Sequence, residues 1–354
     1  MTPFSNLKLE IEKLEEYDNH HKVVLLNNPE TGLKGFIAIH RKNKDIPSFG
    51  ATRLLHYRDS LDGLRDALRL SRLMSYKSAL SGLPCGGAKG VILAPKRLTS
   101  ENRKRLLLSY AEEVNALNGD FITGTDVGVL QDDLKLMKSV SPFFVGFNGN
   151  STECTALGIY FGMETCCSFL DDGDNLAGKT FAIQGLGKVG AALLALVYPK
   201  AGKVYAADID KSVAEKIKKK FPKVVIVAPS EIHKQKVDIF APCALSGALN
   251  SKTIAELKCR IIAGGANNQL EDDTIGDLLF KLGILYAPDY VVNAGGLIAV
   301  FDEYEHKKNN DERIYDKVFA IKERLHDILE KSKKENHAPN YIANEMAEKM
   351  FNNF

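Results

Sequence analysis

The sequence predicts an α/β fold in two parts, and three observations predict it. Beyond residue 150, short apolar runs (KTFAIQ, KVYAADI, KVVIVA, VDIFA, RIIAGG and GILYA) alternate with helical or loop segments. That alternation is the pattern of a parallel, doubly wound sheet. Before residue 145, strands and amphipathic helices follow one another in a mixed order. Between the two, around Pro142 to Ser151, SPFFVGFNGNS is rich in Gly, Asn and Ser and breaks the periodicity, which places a hinge there. A chain of 354 residues also suits two domains at roughly 100–200 residues each.

The elements of the first part follow from local pattern. VVLLNN (Val23 to Asn28) and GFIAIH (Gly35 to His40) read as strands, joined by the turn-forming stretch Pro29 to Lys34. SLDGLRDALRLSRLMSYK is an amphipathic helix with Leu61, Leu64 and Leu68 at helical spacing. The glycine-rich GLPCGGAKGVIL follows and ends in a short apolar strand. NRKRLLLSYAEEVNAL is a second helix, with Leu107, Tyr110, Ala111 and Val114 at i, i+3, i+4 and i+7. FITGTDVGV is a strand running into a loop. The expected domains are 1–145 and 146–332. The mostly charged, helical stretch from Asp311 ends in a helix, 333–354, that returns to the first domain.

Composition narrows the function classes. Apolar residues make up 45% and charged residues 26%, which excludes wholesale disorder. With 47 basic and 45 acidic side chains there is no electrostatic case for nucleic acid or an anionic membrane as partner. No run approaches the ~18 apolar residues of a membrane span. The charged N-terminal stretch lacks the apolar core of a secretory signal. Cys85, Cys154, Cys166, Cys167, Cys243 and Cys259 form no CxxC pair and no zinc ligand set, so no metal is expected. They read as reduced, mostly buried thiols of a cytoplasmic protein. His20 and His21 read as a solvated pair rather than a metal site.

The most legible motif is GLGKVG. Gly185, Gly187 and Gly190, with Lys188 and Val189 between the last two, form G-x-G-x-x-G after an apolar strand and at the start of an apolar helix. A bare match is weak. The full strand–glycine–helix–strand order gives it meaning: a tight turn, close backbone approach to a pyrophosphate, and phosphate charge at a helix N-terminus. This makes the second domain a Rossmann-type dinucleotide-binding unit. Asp208 ends the next strand, 23 positions after Gly185, where an acid accepts hydrogen bonds from the adenine ribose. Its charge would repel a 2′-phosphate, which favours NAD over NADP, while Lys211 close by acts the other way. A bare turn cap is the alternative reading of Asp208.

Two lysines stand out in the first part. Lysine is ordinarily a solvated surface residue. Lys89 is flanked by small and apolar residues from Gly82 to Ala94, where lost hydration and a second cation such as Lys77 both favour its neutral form. Such a lysine suits a general base near neutral pH. Lys77 suits a fixed charge for a carboxylate. Asp126, among glycines at a strand end, could accept a proton, hold an ammonium group, or simply form the turn.

ALRLSRLMSYKSALSGLPCGGAKGVI, FITGTDVG, GLGKVG, APCALSGALN, AGGANNQL and YAPDYVVNAGG occur in order over roughly residues 20 to 310. Together they resemble the Glu/Leu/Phe/Val dehydrogenase family, in size and wording closest to its leucine dehydrogenase branch. The resemblance implies an N-terminal substrate domain and a C-terminal NAD domain with a cleft between, in a homo-oligomer, often a dimer or octamer. It implies that Lys77 binds the substrate carboxylate, that Lys89 is the catalytic lysine, and that Asp126 assists proton transfer. Gly50 and Ala51 fall where the family has Gly-Gly at the substrate's backbone end, and Ala51 departs from that pattern. Thr155 resembles the threonine near the nicotinamide amide, and Thr152 stands where a serine is usual. Asn267 and Asn293 resemble asparagines holding the substrate amino group and the nicotinamide.

The implied reaction is oxidation of an L-amino acid at Cα and its hydrolysis to a 2-oxo acid and ammonia, with the reverse amination. The implied side-chain residues are Phe49, Gly124, Leu297 and Val300. None is charged, which argues against glutamate as substrate. Gly124 makes room and Phe49 and Leu297 take it away, so branched-chain aliphatic substrates are expected, with phenylalanine or tryptophan as the alternative. Two other classes compete. A non-catalytic NAD-binding regulator would keep GLGKVG without needing Lys77, Lys89 and Asp126 together. A 2-hydroxy-acid dehydrogenase would use a histidine base, and none of the eight histidines lies beside the glycine motifs.

Overall fold

The computed structural model describes residues 10–147, 150–170, 173, 175–244, 247–307 and 310–351. They divide into two units. The first comprises residues up to Phe147, with Glu303–Glu305 and the segment from Ala347. The second comprises the rest, from Asn150 on.

The first unit is a five-stranded mixed sheet in the order β1-β2-β4-β3-β5. Its strands are β1 (Lys22–Asn28), β2 (Leu33–Ile39), β3 (Ser48–Leu55), β4 (Gly87–Leu93) and β5 (Phe121–Thr125). Helices α1 (Ser60–Leu80), α2 (Ser100–Ala116) and α3 (Gln131–Lys138) cover it. One face buries Ile37, Ile39, Leu54, Ala88 and Ile92 under α2, through the stripe Leu107, Tyr110, Ala111 and Val114 expected from sequence. The other buries Phe36, Ala38 and Val91 under Leu64, Ala67 and Leu68 of α1. Leu61, expected in that stripe, sits in the first turn and is exposed.

Register places the site residues. β3 runs parallel to both β4 and β5, with Ala51 opposite Lys89 on one side and Gly124 on the other. Register partners share a sheet face. Lys89, Ala51 and Gly124 therefore form one row across three strands, on the face that α1 covers. The strand period of two puts Phe49 and Arg53 on that face as well. Thr52 and Thr123 point to the other face, where the Thr52 hydroxyl meets the Tyr110 and Thr123 hydroxyls, each at 2.8 Å.

The second unit is a six-stranded sheet in the order β11-β10-β9-β6-β7-β8, parallel at every pairing. Its strands are β6 (Thr180–Gln184), β7 (Lys203–Ala207), β8 (Val225–Ile226), β9 (Ile239–Pro242), β10 (Ile261–Ile262) and β11 (Leu285–Tyr286). This is the Rossmann-type, doubly wound α/β arrangement. Strand order reverses between β6 and β9, and in such sheets ligands bind outside the carboxyl ends of the strands at that point. The helices used below are α4 (Ser151–Phe169), α5 (Lys188–Val197), α6 (Gly295–His306) and α7 (Pro339–Phe351).

Of the stretch 333–354, expected with the first domain, residues up to Met346 group with the second unit. Glu345 pairs with Lys331 at 2.7 Å, and the Tyr290 hydroxyl donates to the Asn340 carbonyl at 3.2 Å. In the first unit the Tyr76 hydroxyl donates to Glu348 at 2.8 Å, and its ring stacks on Phe351. Residues 303–305 also join the first unit, where Glu303 accepts from the Gly146 and Phe147 amides. His20 is buried and not solvated, because its ring packs between Tyr17 and His40; His21 is exposed. None of the six cysteines is in a disulfide. Among the described residues no helix is long and apolar enough to cross a membrane.

Candidate active site

Lys89 sits in the middle of β4, 4% exposed. The preceding glycines let α1 come down on that strand: a Cβ on Gly87 would lie 2.0 Å from the Ser75 nitrogen. The Gly87 amide instead donates to the Ser75 hydroxyl at 2.8 Å. Lys77 lies two residues further along α1 and is also buried.

From sequence, burial and a second cation single out Lys89. The structure adds a carboxylate. Asp126 follows β5, its amide donating to the Thr52 carbonyl at 3.1 Å, and its Oδ2 lies 2.6 Å from Lys89 Nζ. Burial pushes the Asp126 carboxyl up, but the charges of Lys89 and Arg53 outweigh that and hold it well below the usual carboxylate range. Asp126 is thus ion-paired with Lys89.

Arg53 escaped sequence reasoning. Its Nε donates to the same Asp126 oxygen at 2.9 Å, and its Nη1 to Asp66 at 2.8 Å. The available signal was a lone arginine at alternate spacing after Phe49 and Ala51. Tyr304 was missed too: its ring meets that of the fully buried Phe49 edge-on, centroids 5.1 Å apart.

At the implied substrate backbone end, Gly50 has a packing reason to be glycine, since a Cβ would lie 1.8 Å from the Ala88 carbonyl oxygen. The Ala51 methyl stands in the row between Lys89 and Gly124. A Cβ on Gly124 would lie 3.2 Å from the Val145 carbonyl oxygen, so the room there is bounded.

The second unit carries the glycine turn. Gly185 has φ +91°, a conformation that side chains resist, and its amide donates to the Ala207 carbonyl at 2.8 Å. A Cβ on Gly190 would lie 1.9 Å from the Gly185 carbonyl oxygen, so the first turn of α5 rests on the loop. Around Gly187 the same construction meets nothing within 4 Å. That open space at the start of α5 fits close approach by a pyrophosphate. Lys188 is exposed and Val189 half-buried. Asp208 stands at the end of β7, where its carboxylate accepts from the Leu186 amide at 2.7 Å and the Asp210 amide at 2.8 Å.

A second set gathers after β10. The Asn293 side-chain amide donates to Asn267 Oδ1 at 3.0 Å and to the Gly265 carbonyl at 3.3 Å. Asn293 is 5% exposed, yet its Oδ1 has no hydrogen-bond partner. A buried acceptor left open fits an incoming N–H donor, such as a carboxamide or an ammonium. Thr155, one turn into α4, lies where a Cβ on Gly296 would meet its hydroxyl at 2.7 Å. The NAGG turn thus brings Thr155 and Asn293 into one neighbourhood. Leu297 and Val300 follow one turn apart on α6, both half-buried. Gly185, Gly187, Asp208, Thr155 and Asn293 are the residues that would hold NAD.

The model of the Glu/Leu/Phe/Val dehydrogenase dimerisation domain matches residues 20–141, and the model of the Glutamate/Leucine/Phenylalanine/Valine dehydrogenase family matches 146–350. The chain is 39% identical over 351 residues to the leucine dehydrogenase of Bacillus cereus, covering 97% of this chain and 93% of that protein. It is 41% identical over 333 residues to the phenylalanine dehydrogenase of Thermoactinomyces intermedius, covering 92% and 89%. The crystal structure of L-tryptophan dehydrogenase from Nostoc punctiforme superposes with a TM-score of 0.79 at 38% identity, covering 99% of this chain and 98% of that one.

Proposed function

The chain belongs to the Glu/Leu/Phe/Val dehydrogenase family, an amino acid dehydrogenase that uses NAD, and from that premise we propose that it deaminates branched-chain aliphatic L-amino acids such as leucine, valine and isoleucine. The products are the 2-oxo acid and ammonia, and the reverse reaction is reductive amination. The observation that carries the choice of side chain is Phe49: it is fully buried and its ring packs edge-on against Tyr304, so it takes up room. Leu297 and Val300 are apolar too, so none of the implied side-chain residues carries a charge to receive a glutamate side chain. Gly124 favours the aromatic reading, and that reading is the alternative. The bound on Gly124 from the Val145 carbonyl weighs against it.

Held by Gly185, Gly187, Asp208, Thr155 and Asn293, NAD would supply the hydride acceptor for Cα. The residues of this chain do the rest. The Lys77 ammonium neutralises the substrate carboxylate and fixes its orientation, which removes part of the entropic barrier. Asn267 and Asn293 orient the amino group and the nicotinamide amide. Lys89 takes the proton from the water that adds to Cα, and Asp126, 2.6 Å away, takes part in passing it on to the departing amine.

Homo-oligomers, dimers or octamers, fit a first unit that matches a dimerisation-domain model. Six cysteines outside any disulfide, five of them buried, support a reducing cytoplasmic setting. The test is a panel of L-amino acids with NAD, following NADH absorbance. Leucine, valine and isoleucine should exceed phenylalanine and tryptophan in kcat/KM by about tenfold or more. A panel led by the aromatic substrates would overturn the aliphatic reading.

A further inference from the structure

Behind the Lys89–Asp126 pair lies a file of groups that the proposed reaction leaves unused. Lys89 Nζ and Arg53 Nε share Asp126 Oδ2, at 2.6 and 2.9 Å. Arg53 Nη1 reaches Asp66 Oδ2 at 2.8 Å, and the Tyr57 hydroxyl donates to that same oxygen at 2.6 Å. The charges alternate: ammonium, carboxylate, guanidinium, carboxylate, with a phenol at the end. β4, the segment after β5, β3, α1 and the segment before α1 each supply one member. The side chains of Arg53, Asp66 and Asp126 are 11%, 11% and 12% exposed, so water screens them little.

Arginine is the side chain that can do this. Its planar fork donates from separate nitrogens to two carboxylates at once, whereas a lysine offers one point charge. An ion pair that merely tied β3 to α1 would need only Asp66. Here Arg53 also takes half of the oxygen on which Lys89 depends, so any loss of Arg53 acts on the pair directly. α1 also carries the buried Lys77 and the half-buried Arg69, whose Nη2 is 3.6 Å from Asp66 Oδ1. The Val127 amide adds a hydrogen bond to Asp126. Tyr110, Thr52 and Thr123 lie on the opposite face of the sheet.

Resting on the reading that Lys89 and Asp126 are the acid–base pair, we propose that Arg53, anchored by Asp66 and Tyr57, is a positioning residue that aims Asp126 at Lys89 and sets the pH at which the pair gives up its proton. The two charges flanking the pair pull in opposite directions. Arg53→Gln removes a positive charge, and the pair then holds its proton more tightly. Asp66→Asn removes a negative charge at constant shape, and the pair then releases its proton more readily.

The experiment measures kcat and KM for the amino acid across pH in the full chain with NAD. For Arg53→Gln the ascending limb of log(kcat/KM) should move up by about one pH unit. For Asp66→Asn it should move down by about half a unit, with folding retained as judged by circular dichroism. Arg53→Lys keeps the charge but loses the fork, so it should return the limb to near its wild-type pH while kcat stays depressed. Limbs that stay in place in both neutralising variants, or that move in the same direction, overturn the inference alone. A wild-type chain inert on every amino acid removes the acid–base reading, and the inference with it.

Discussion

Lys89 Nζ and Asp126 Oδ2 meet at 2.6 Å although they are 37 residues apart, with strand β3 lying between the strands β4 and β5 from which they come. The parallel pairing of β3 with both β4 and β5 creates that meeting. If this pair handles the protons, then Lys89→Ala should lower turnover by about 10²–10⁴-fold, the usual worth of a general base. NAD affinity should stay within about twofold, because the glycine turn belongs to the other unit. Steady-state kinetics and NADH fluorescence titration check the two halves separately. A variant turning over at near wild-type rate would falsify the base assignment.

Lys77 calls for a different signature. It is buried in the last turn of α1, and we assign its charge to the substrate carboxylate, which is present in ground state and transition state alike. Lys77→Ala should therefore raise KM for the amino acid by about 10–100-fold, the worth of a charge-assisted hydrogen bond, and leave KM for NAD near its wild-type value. An unchanged amino-acid KM, with the loss confined to kcat, would move Lys77 out of carboxylate binding.

Gly187 and Gly190 lie three residues apart in one motif, and the structure assigns them opposite costs. A methyl on Gly190 must displace the Gly185 carbonyl oxygen, 1.9 Å away, so Gly190→Ala should unfold at a clearly lower temperature. A methyl on Gly187 meets nothing within 4 Å, so Gly187→Ala should melt within about 2 °C of the parent. If the open space at Gly187 is where the pyrophosphate approaches, the same variant should lose about tenfold or more in NAD affinity. Thermal melting with and without NAD reads both. A Gly187→Ala chain that keeps full affinity would remove the pyrophosphate from that position.

These cases show what was legible in the sequence. GLGKVG could be read because its neighbours in sequence are its neighbours in space. The β3 strand, SFGATRLL, could not: Gly50 and Arg53 weaken its pattern, and its extended form comes from pairing on both edges. KVVIVA, RIIAGG and GILYA are all apolar runs, yet only two residues of each enter a ladder, and in KVVIVA only Val224 is buried, so an apolar run fixes neither pairing nor burial. Lys89 stood out by its flanks, but nothing in its spacing pointed to Asp126, and Arg53 is visible only once β3 is placed. The charged C-terminal pattern announces helix without saying which unit the helix serves, and the break falls inside α7.

The first unit should also be acid-sensitive in a window set by two histidines. The His40 Nε2 lies 2.8 Å from Asp18 Oδ2, and its Nδ1 is buried with no partner. A proton added to Nδ1 would be an N–H with nowhere to donate. His20 is satisfied as a neutral ring as well: its Nδ1 accepts from the Asp18 amide at 3.2 Å, and its Nε2 faces the Leu68 carbonyl at 3.1 Å. The rings are 4.9 Å apart. Burial pushes both down to about 4, with the charge of His40 adding to the effect on His20. An unfolded histidine binds its proton near 6.5, so between about 6.5 and 4 the unfolded chain holds more protons than the folded one. Stability should be level above about pH 6.5 and fall below it, by up to about 1.4 kcal/mol per pH unit for each imidazole. Urea unfolding at a series of pH values measures this. His20→Gln should make the fall shallower, and His21→Gln, at an exposed position, should leave it unchanged. A parent chain equally stable at pH 7 and pH 5 would mean that the two rings are not held neutral by their surroundings.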